Sequence, residues 1–176
     1  LEFSRVLFRS EPLAALDAPR KAEILPYLER ASRELQLPVI YVSHALDEVA
    51  RLADHLVYLQ DGQVLASGET TSLLTRTDLP LAHGESAGAV LACTIQSHDE
   101  TDQLTLTHFS GGSLTVPRQA LAPGTRLRVR VQARDVSLTL DKQGGTSILN
   151  ILPATVLSVS DESPGQAMVV LQVGTE

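Results

Sequence analysis

Aromatic residues and positive charge are both scarce in this sequence. Phe, Trp and Tyr together make up 3% of its 176 residues, with no tryptophan, and 14 Lys and Arg stand against 21 Asp and Glu, a formal net charge of -7. Proteins that bind nucleic acids stack bases on aromatic side chains and neutralise phosphates with clustered basic residues. The composition therefore argues against a nucleic-acid partner.

Cysteine and long apolar runs are also lacking. Cys93 is the only cysteine, which excludes an internal disulfide or a cysteine metal site, and its neighbours (AVLACTI) predict a small buried core residue. No stretch reaches the roughly 18–20 apolar residues that cross a bilayer, and the first ten residues lack the apolar centre of a signal peptide. We therefore expect a protein of the reducing cytoplasm that meets a membrane only through a partner.

Residues 1–10 (LEFSRVLFRS) do not agree with the pattern that follows them. Their apolar run, VLF, is broken by Arg9 and Ser10 immediately before a turn, and LEF resembles a cloning or assembly junction. We predict a non-native or misjoined segment over residues 1–10. The alternative is a native strand.

Residues 11–77 alternate between helical and strand patterns, which is typical of an α/β layer fold. Asp17 is a natural N-cap for a helix beginning at Ala18, and VIYVS has the continuous apolar composition of a strand buried on both faces of a parallel sheet. A helix over about 45–53 follows, then two strands (HLVYLQ and QVLASG) joined by Asp61-Gly62, and a short helix over about 70–75. On the second helix, Asp47, Glu48 and Asp54 are expected to form a solvated face without a metal site.

Residues 78–88 carry Pro and Gly with few large apolar side chains, which predicts a linker. Residues 89–176 then show short alternating strands separated by turn residues, a pattern that favours a small all-β barrel or sandwich. The predicted strands are AVLACTIQS, QLTLTHF, SLTVP, RLRVRVQ, VSLTL, ILPATVLSVS and AMVVLQV. Arg126, Arg128 and Arg130 share one face of their strand, which is either solvated or available to an anion or a partner.

Two motifs carry the chemistry: EPLAALD at residues 11–17 and VSH at residues 42–44, the second at the end of a predicted strand. Together, and with the helix and strand between them, they resemble the second half of an ABC transporter ATPase over residues 11 to about 75. The resemblance implies that Glu11 is the catalytic glutamate and His44 the switch histidine. It also implies that Ala14, Ala15, Leu16 and Asp17 form the D-loop at the interface of an ATPase homodimer.

The chemistry of phosphoanhydride hydrolysis agrees with these roles. The reaction needs a carboxylate that orients or deprotonates water and a donor near the γ-phosphate, where charge develops. We expect both groups at the carboxyl ends of adjacent parallel strands, where ligands bind in open α/β sheets. The resemblance thus implies ATP and Mg²⁺ as cofactors and an α/β fold of the partial P-loop NTPase type.

The sequence departs from this family at three points. Ser10 stands where the family has an aspartate that organises Mg²⁺, and neither a G-x-x-x-x-G-K-[ST] phosphate loop nor an LSGGQ-type signature occurs. Without backbone amides and a lysine to hold the phosphates, Mg-ATP should bind poorly. We expect a fragment that is inactive alone, with residues 11–77 as the C-terminal part of a nucleotide-binding domain.

The β half resembles the C-terminal barrel of importer ATPases, an OB-like fold of the TOBE type, in its segment RLRVRVQARDVSLTL. TSILNILPATVLSV resembles the start of the molybdate-binding barrel module, which implies oxyanion contacts from Thr146, Ser147 and Asn150 and molybdate as a regulatory ligand. The alternative is an ordinary polar turn, and Leu149 replaces the family's usual basic residue. The module over residues 89–176 is expected to be incomplete at its C-terminus.

The resemblance implies an ATP-hydrolysing, energy-coupling subunit of a molybdate importer. Its implied partners are a second ATPase subunit, transmembrane permease subunits and, indirectly, a periplasmic substrate-binding protein, at the cytoplasmic face of a bacterial inner membrane. Two alternatives stay open. The chain could be a non-enzymatic oxyanion-binding β module, or the ATPase subunit of an importer for sulfate, a sugar or a polyamine.

Overall fold

A computed structural model describes residues 7–35, 38–84 and 87–175 of the chain. The chain divides into two compact units, residues 1–82 and 83–176. Most of the described strands pair in antiparallel sheets, and helices are few. The division falls inside the stretch predicted as a linker.

The first unit combines helices with two small sheets. Strands β1 and β2 are parallel, and strands β3 and β4 form an antiparallel hairpin. In chain order its elements are β1 (Leu7–Ser10), α1 (Ala18–Leu35), β2 (Val39–Val42), α2 (Leu46–Leu52), β3 (His55–Gln60), β4 (Gln63–Glu69), α3 (Thr70–Leu74) and a 3-10 turn (Pro80–Ala82).

Local sequence signals account for the ends of these elements. The Asp17 carboxylate accepts a hydrogen bond from the Arg20 backbone N–H at 3.0 Å, which confirms the predicted N-cap of α1. Asp61 and Gly62 both have positive φ, 50° and 75°, as a two-residue turn between right-twisted strands requires. The predicted hairpin β3–β4 is therefore also confirmed.

The burial predicted for VIYVS is wrong. Val39, Ile40 and Val42 are 39%, 51% and 43% exposed. The described part of the parallel sheet has only two strands, so β2 does not have the strand neighbours on both sides that a central strand has. The segment predicted as non-native contributes β1, and the structure pairs Ser10 with Val42.

The predicted linker contributes to the core of the first unit. Leu79 packs in a buried cluster with Ala66 and Leu73, and Leu81 is also buried. These side chains remove apolar area from water as core residues do. Leu79, Leu81 and Ala82 therefore belong to the core of the first unit, and the linker over residues 78–88 stays a prediction.

One buried hydroxyl gives a stability prediction. Thr70 is fully buried, and within the described part of the chain its Oγ1 has no hydrogen-bond partner. We expect Thr70→Val to raise the free energy of unfolding by about 1 kcal/mol, because valine keeps the shape and removes the unpaired hydroxyl. Chemical denaturation measures the change.

The matched control is Thr107→Val in the second unit. Thr107 is equally buried, but its Oγ1 donates a hydrogen bond to the Leu114 carbonyl at 3.0 Å. This substitution should lower the free energy of unfolding by about 1 kcal/mol, since it removes a buried hydrogen bond. Equal destabilisation by both substitutions would contradict the prediction for Thr70.

The second unit contains a four-stranded antiparallel sheet in the order β7-β6-β5-β8 and a separate antiparallel hairpin, β9–β10. A core of Cys93, Phe109 and Leu114 supports the sheet, and the predicted burial of Cys93 is confirmed. Its strands are β5 (Gly88–Asp99), β6 (Leu104–Phe109), β7 (Gly112–Pro117), β8 (Arg126–Gln132), β9 (Thr155–Ser163) and β10 (Gln166–Gln172).

The second unit differs from the sequence predictions at three places. The described strands form no closed barrel, because no ladder joins β9–β10 to the four-stranded sheet. VSLTL is irregular rather than a strand, with Leu138 57% exposed. Strand β9 begins at Thr155 instead of at the start of ILPATVLSVS, because Pro153 has no N–H to contribute to a ladder.

Candidate active site

Glu11 lies directly after the end of β1. Its backbone N–H donates a hydrogen bond to the Val42 carbonyl at 2.7 Å, which ties it to the last residue of β2. Its φ is 46°, a left-handed conformation that is uncommon for residues other than glycine. The backbone thus turns sharply at the carboxyl end of the parallel pair.

His44 meets Glu11 at this end of the sheet. The His44 Nδ1 atom lies 2.9 Å from Glu11 Oε1, and the side chains are 80% and 41% exposed, respectively. A carboxylate only accepts hydrogen bonds, so Nδ1 carries the proton in this contact. The expected placement at the carboxyl ends of adjacent parallel strands is confirmed, while the catalytic roles of both residues stay predictions.

The predicted D-loop residues form turns between Glu11 and α1. Ala14 donates its backbone N–H to the Glu11 carbonyl at 3.2 Å, and Leu16 donates to the Leu13 carbonyl at 3.0 Å. Ala14, Ala15 and Asp17 are exposed, and Leu16 is half-buried. The Asp17 carboxylate caps α1, and the role of these residues at a dimer interface stays a prediction.

The predicted solvated position of Glu48 is wrong. Its side chain is 4% exposed and accepts hydrogen bonds from three donors: Lys21 Nζ at 2.8 Å, Tyr41 OH at 2.6 Å and Ser43 Oγ at 3.0 Å. The donors come from α1, from β2 and from the residue before His44. Burying a carboxylate is costly unless it is paired and hydrogen-bonded, and here it is both.

Electrostatics favour the ionised form of Glu48. Burial by itself would raise the pKa of this carboxyl, but hydrogen bonds from Lys21, Tyr41 and Ser43 outweigh it and hold the pKa below its usual value. Burial and the hydrogen bond to Glu48 raise the pKa of the Tyr41 hydroxyl above its ordinary range. At neutral pH the site thus holds a carboxylate and a neutral phenol.

The lowered pKa of Glu48 predicts an acid-sensitive contribution to stability. A carboxyl with a lower pKa in the folded state stabilises the fold above its unfolded-state pKa of about 4.3, and the contribution is lost as pH falls through the folded-state value. We expect the first unit to lose stability over this acidic range, and Glu48→Gln to reduce that loss. Urea unfolding at neutral and acidic pH measures both, and equal pH dependence in the two proteins would contradict the prediction.

The sequence contains a signal for the burial of Glu48, although the helical pattern by itself predicts a solvated position. Tyr41 and Ser43 are two residues apart near the end of one strand, so their polar side chains leave on the same face. Polar side chains on a strand at a sheet end need partners when an adjacent helix covers them. Glu48 adjoins the buried Val49 and Ala50 on α2, which places it on the covered side.

Two of the predicted oxyanion residues, Thr146 and Asn150, make hydrogen bonds within the protein. The Asn150 side chain accepts from the Thr115 backbone N–H at 2.8 Å and donates to the Thr115 carbonyl at 2.9 Å. Thr146 Oγ1 accepts from the Ile148 N–H at 3.1 Å. Thr146, Ser147 and Asn150 are all exposed. These bonds agree with the polar-turn alternative, and anion binding stays a prediction.

Poor binding of Mg-ATP by this chain alone stays a prediction. The sequence has no phosphate loop, and Ser10 stands at the position of the expected aspartate. Over the described ranges, no group of three or more His, Cys, Asp or Glu side chains could hold a metal ion.

Comparison with known proteins places the chain in a family. Molybdenum import ATP-binding protein ModC of Albidiferax ferrireducens is 68% identical over 170 residues, which cover 97% of this chain and 46% of that protein. The proteins of the same name from Methylococcus capsulatus and Aromatoleum aromaticum are 52% and 50% identical, over 97% and 96% of the chain. The chain belongs to this family of ABC transporter ATP-binding subunits.

Membership in the molybdenum import ATP-binding family agrees with the resemblance seen in the two sequence motifs. The chain spans about half the length of the curated relatives it matches, as expected for a sequence that has one part of the family's motifs. No family model matches the chain. In the described part of the chain, no helix is long and apolar enough to cross a membrane.

Proposed function

We propose that the chain contributes the hydrolytic Glu–His pair to an ATP-binding subunit that powers molybdate import. The observation that carries the proposal is the 2.9 Å contact between His44 Nδ1 and Glu11 Oε1 at the ends of adjacent parallel strands. Relatives named for molybdenum import and ATP binding support it. The proposal includes the P-loop NTPase type for residues 11–77.

The two side chains have separate tasks in this proposal. Glu11 is partly exposed, so its carboxylate can accept a proton from water or orient a water molecule for attack. His44 donates Nδ1–H to Glu11, so Nε2 is the ring nitrogen proposed to contact a ligand. Nucleotide binding itself requires a phosphate loop, which this sequence does not contain.

The missing phosphate loop leads to a direct prediction. The purified chain of 176 residues should hydrolyse no Mg-ATP above a protein-free control, because it has no lysine and amide cradle for the β- and γ-phosphates. A phosphate-release assay measures the rate. Robust turnover that Glu11→Gln abolishes would contradict the prediction.

Molybdate as the transported oxyanion is the substrate part of the proposal. Uptake of labelled molybdate should be lost in cells that lack the gene and restored by the complete gene product. Sulfate uptake serves as the control for general loss of transport. Unchanged molybdate uptake with loss of sulfate, sugar or polyamine uptake would contradict the assignment and favour that substrate.

The remaining family properties complete the proposal. They are a homodimer of ATPase subunits with the D-loop residues 14–17 at its interface, contact with permease subunits at the inner membrane, and indirect action with a periplasmic binding protein. The domain boundaries 11–77, 78–88 and 89–176 are proposed with them, although Leu79, Leu81 and Ala82 are buried in the first unit.

Oxyanion binding at Thr146, Ser147 and Asn150 belongs to the proposal as a regulatory contact. A tetrahedral dianion can be held by hydroxyls and backbone amides without a full counter-charge. Calorimetric titration of the chain with molybdate and with sulfate tests it. Selective binding of molybdate supports the contact, and equal weak binding of both anions would contradict it.

A further inference from the structure

The buried carboxylate of Glu48 lies beneath the turn that carries His44. Glu48 accepts a hydrogen bond from Ser43 Oγ at 3.0 Å, and the same Ser43 Oγ accepts one from the Ala45 backbone N–H at 3.1 Å. One hydroxyl thus connects the residues on both sides of His44 to a single buried carboxylate. These two hydrogen bonds restrain the backbone on both sides of His44.

The carboxylate is itself fixed by two further elements. Tyr41 OH, from β2, donates to Glu48 Oε2 at 2.6 Å, and Lys21 Nζ, from α1, donates to Oε1 at 2.8 Å. Hydrogen bonds to an ionised acceptor are about twice as strong as those between neutral groups. The turn is therefore anchored to both a strand and a helix through one side chain.

The hydrogen bonds of Glu48 matter for the orientation of His44 because the side chain of His44 is exposed. With 80% of its side chain exposed, the imidazole gains little orientation from packing against neighbours, so its direction depends on the backbone that carries it. That direction places Nδ1 within 2.9 Å of Glu11 Oε1. Loosening the turn should therefore separate the ring from the carboxylate.

We infer that Glu48 is a positioning residue that sets the orientation, and through Glu11 the tautomer, of His44. Its importance for ATP hydrolysis rests on the proposed function, whereas its effect on the imidazole does not. Because Glu11 accepts from Nδ1, neutral His44 carries its proton on Nδ1 rather than on Nε2, the site that an unconstrained imidazole side chain favours. The tautomer thus reports the Glu11–His44 contact.

Nitrogen-15 shifts of the imidazole ring in the 176-residue chain test the inference. The spectra are recorded well above the ordinary histidine pKa of about 6.5, and the His44 signals are identified by their absence in His44→Gln. The wild-type chain should show Nδ1–H as the main tautomer. Glu48→Gln should lose this majority, because a neutral amide holds Lys21 and the Ser43 turn more weakly.

The matched control is Glu29→Gln. Glu29 pairs with Arg51 and, like Glu48 with Lys21, links α1 to α2, but its pair does not include the residues beside His44. This variant should keep the wild-type tautomer. Loss of the Nδ1–H majority in Glu29→Gln would overturn the inference, since helix packing would then be sufficient to explain the effect.

A smaller substitution keeps the test decisive if Glu48→Gln does not fold. Ser43→Ala retains Glu48 and removes only the hydroxyl that links it to Ala45, and it should shift the tautomer in the same direction. A folded Glu48→Gln or Ser43→Ala chain with the wild-type tautomer would overturn the inference. Because the spectra are recorded without nucleotide, this result is independent of whether the proposed ATPase function is right.

Discussion

Replacing Glu11 by glutamine in the complete gene product should lower the rate of ATP hydrolysis by about 100-fold to 10,000-fold, the contribution expected of a positioned general base. Glutamine has the same shape, and its amide oxygen can still accept the hydrogen bond from His44 Nδ1. The substitution therefore preserves the contact and removes only the basicity. Steady-state phosphate release, with the permease partners present, measures the rate.

The control for this prediction is Glu23→Gln. Glu23 is an exposed glutamate on α1, and changing it should leave turnover unchanged. Nucleotide binding should also survive in Glu11→Gln, because the loss is in a chemical step rather than in affinity. Wild-type turnover in Glu11→Gln would mean that the carboxylate beside His44 does not act as the base.

Substituting alanine for Gly111 should destabilise the second unit by about 2–3 kcal/mol, because the space for a methyl group is already filled. A Cβ at Gly111 would lie 2.5 Å from the Val173 carbonyl oxygen and 2.5 Å from Phe109 Cε2. The carbonyl belongs to the backbone just after β10 and cannot rotate away. For a domain of this size the midpoint of thermal unfolding should fall by about 10 to 20 °C.

Gly144→Ala is the matched control for Gly111→Ala. A Cβ at Gly144 would meet nothing within 4 Å, so this substitution should change the unfolding midpoint little. Thermal denaturation followed by circular dichroism compares the two variants. Equal midpoints would contradict the close packing of Gly111 against Val173 and with it the approach of β10 to the β6–β7 turn.

Local sequence signals predict their structures correctly in this chain. The Asp17 cap, the Asp61-Gly62 turn and the limits of α2 and β3 depend on residues a few positions apart, and the structure confirms them. The approach of Glu11 to His44 spans 33 residues. It could still be predicted, because parallel strands place their carboxyl ends at one edge of a sheet.

Local sequence patterns do not predict features that depend on residues far apart in the chain. The helical pattern alone assigned Glu48 to a solvated face, because its three donors are 5, 7 and 27 residues away in the chain. Val39 and Ile40 have the composition of a covered strand, but burial depends on neighbouring layers that no local pattern reports. The same limit applies to barrel closure, which requires pairing between strands far apart in sequence.

The sequence of the gene upstream of the codon for Leu1 tests the central claim most directly. If the Glu11–His44 pair belongs to an ATP-binding subunit of the molybdenum import family, in-frame codons should encode a G-x-x-x-x-G-K-[ST] loop and an LSGGQ-type signature, with aspartate at the position of Ser10. A gene without these codons would contradict the ATPase assignment. Oxyanion binding by the second unit would then be the function to test.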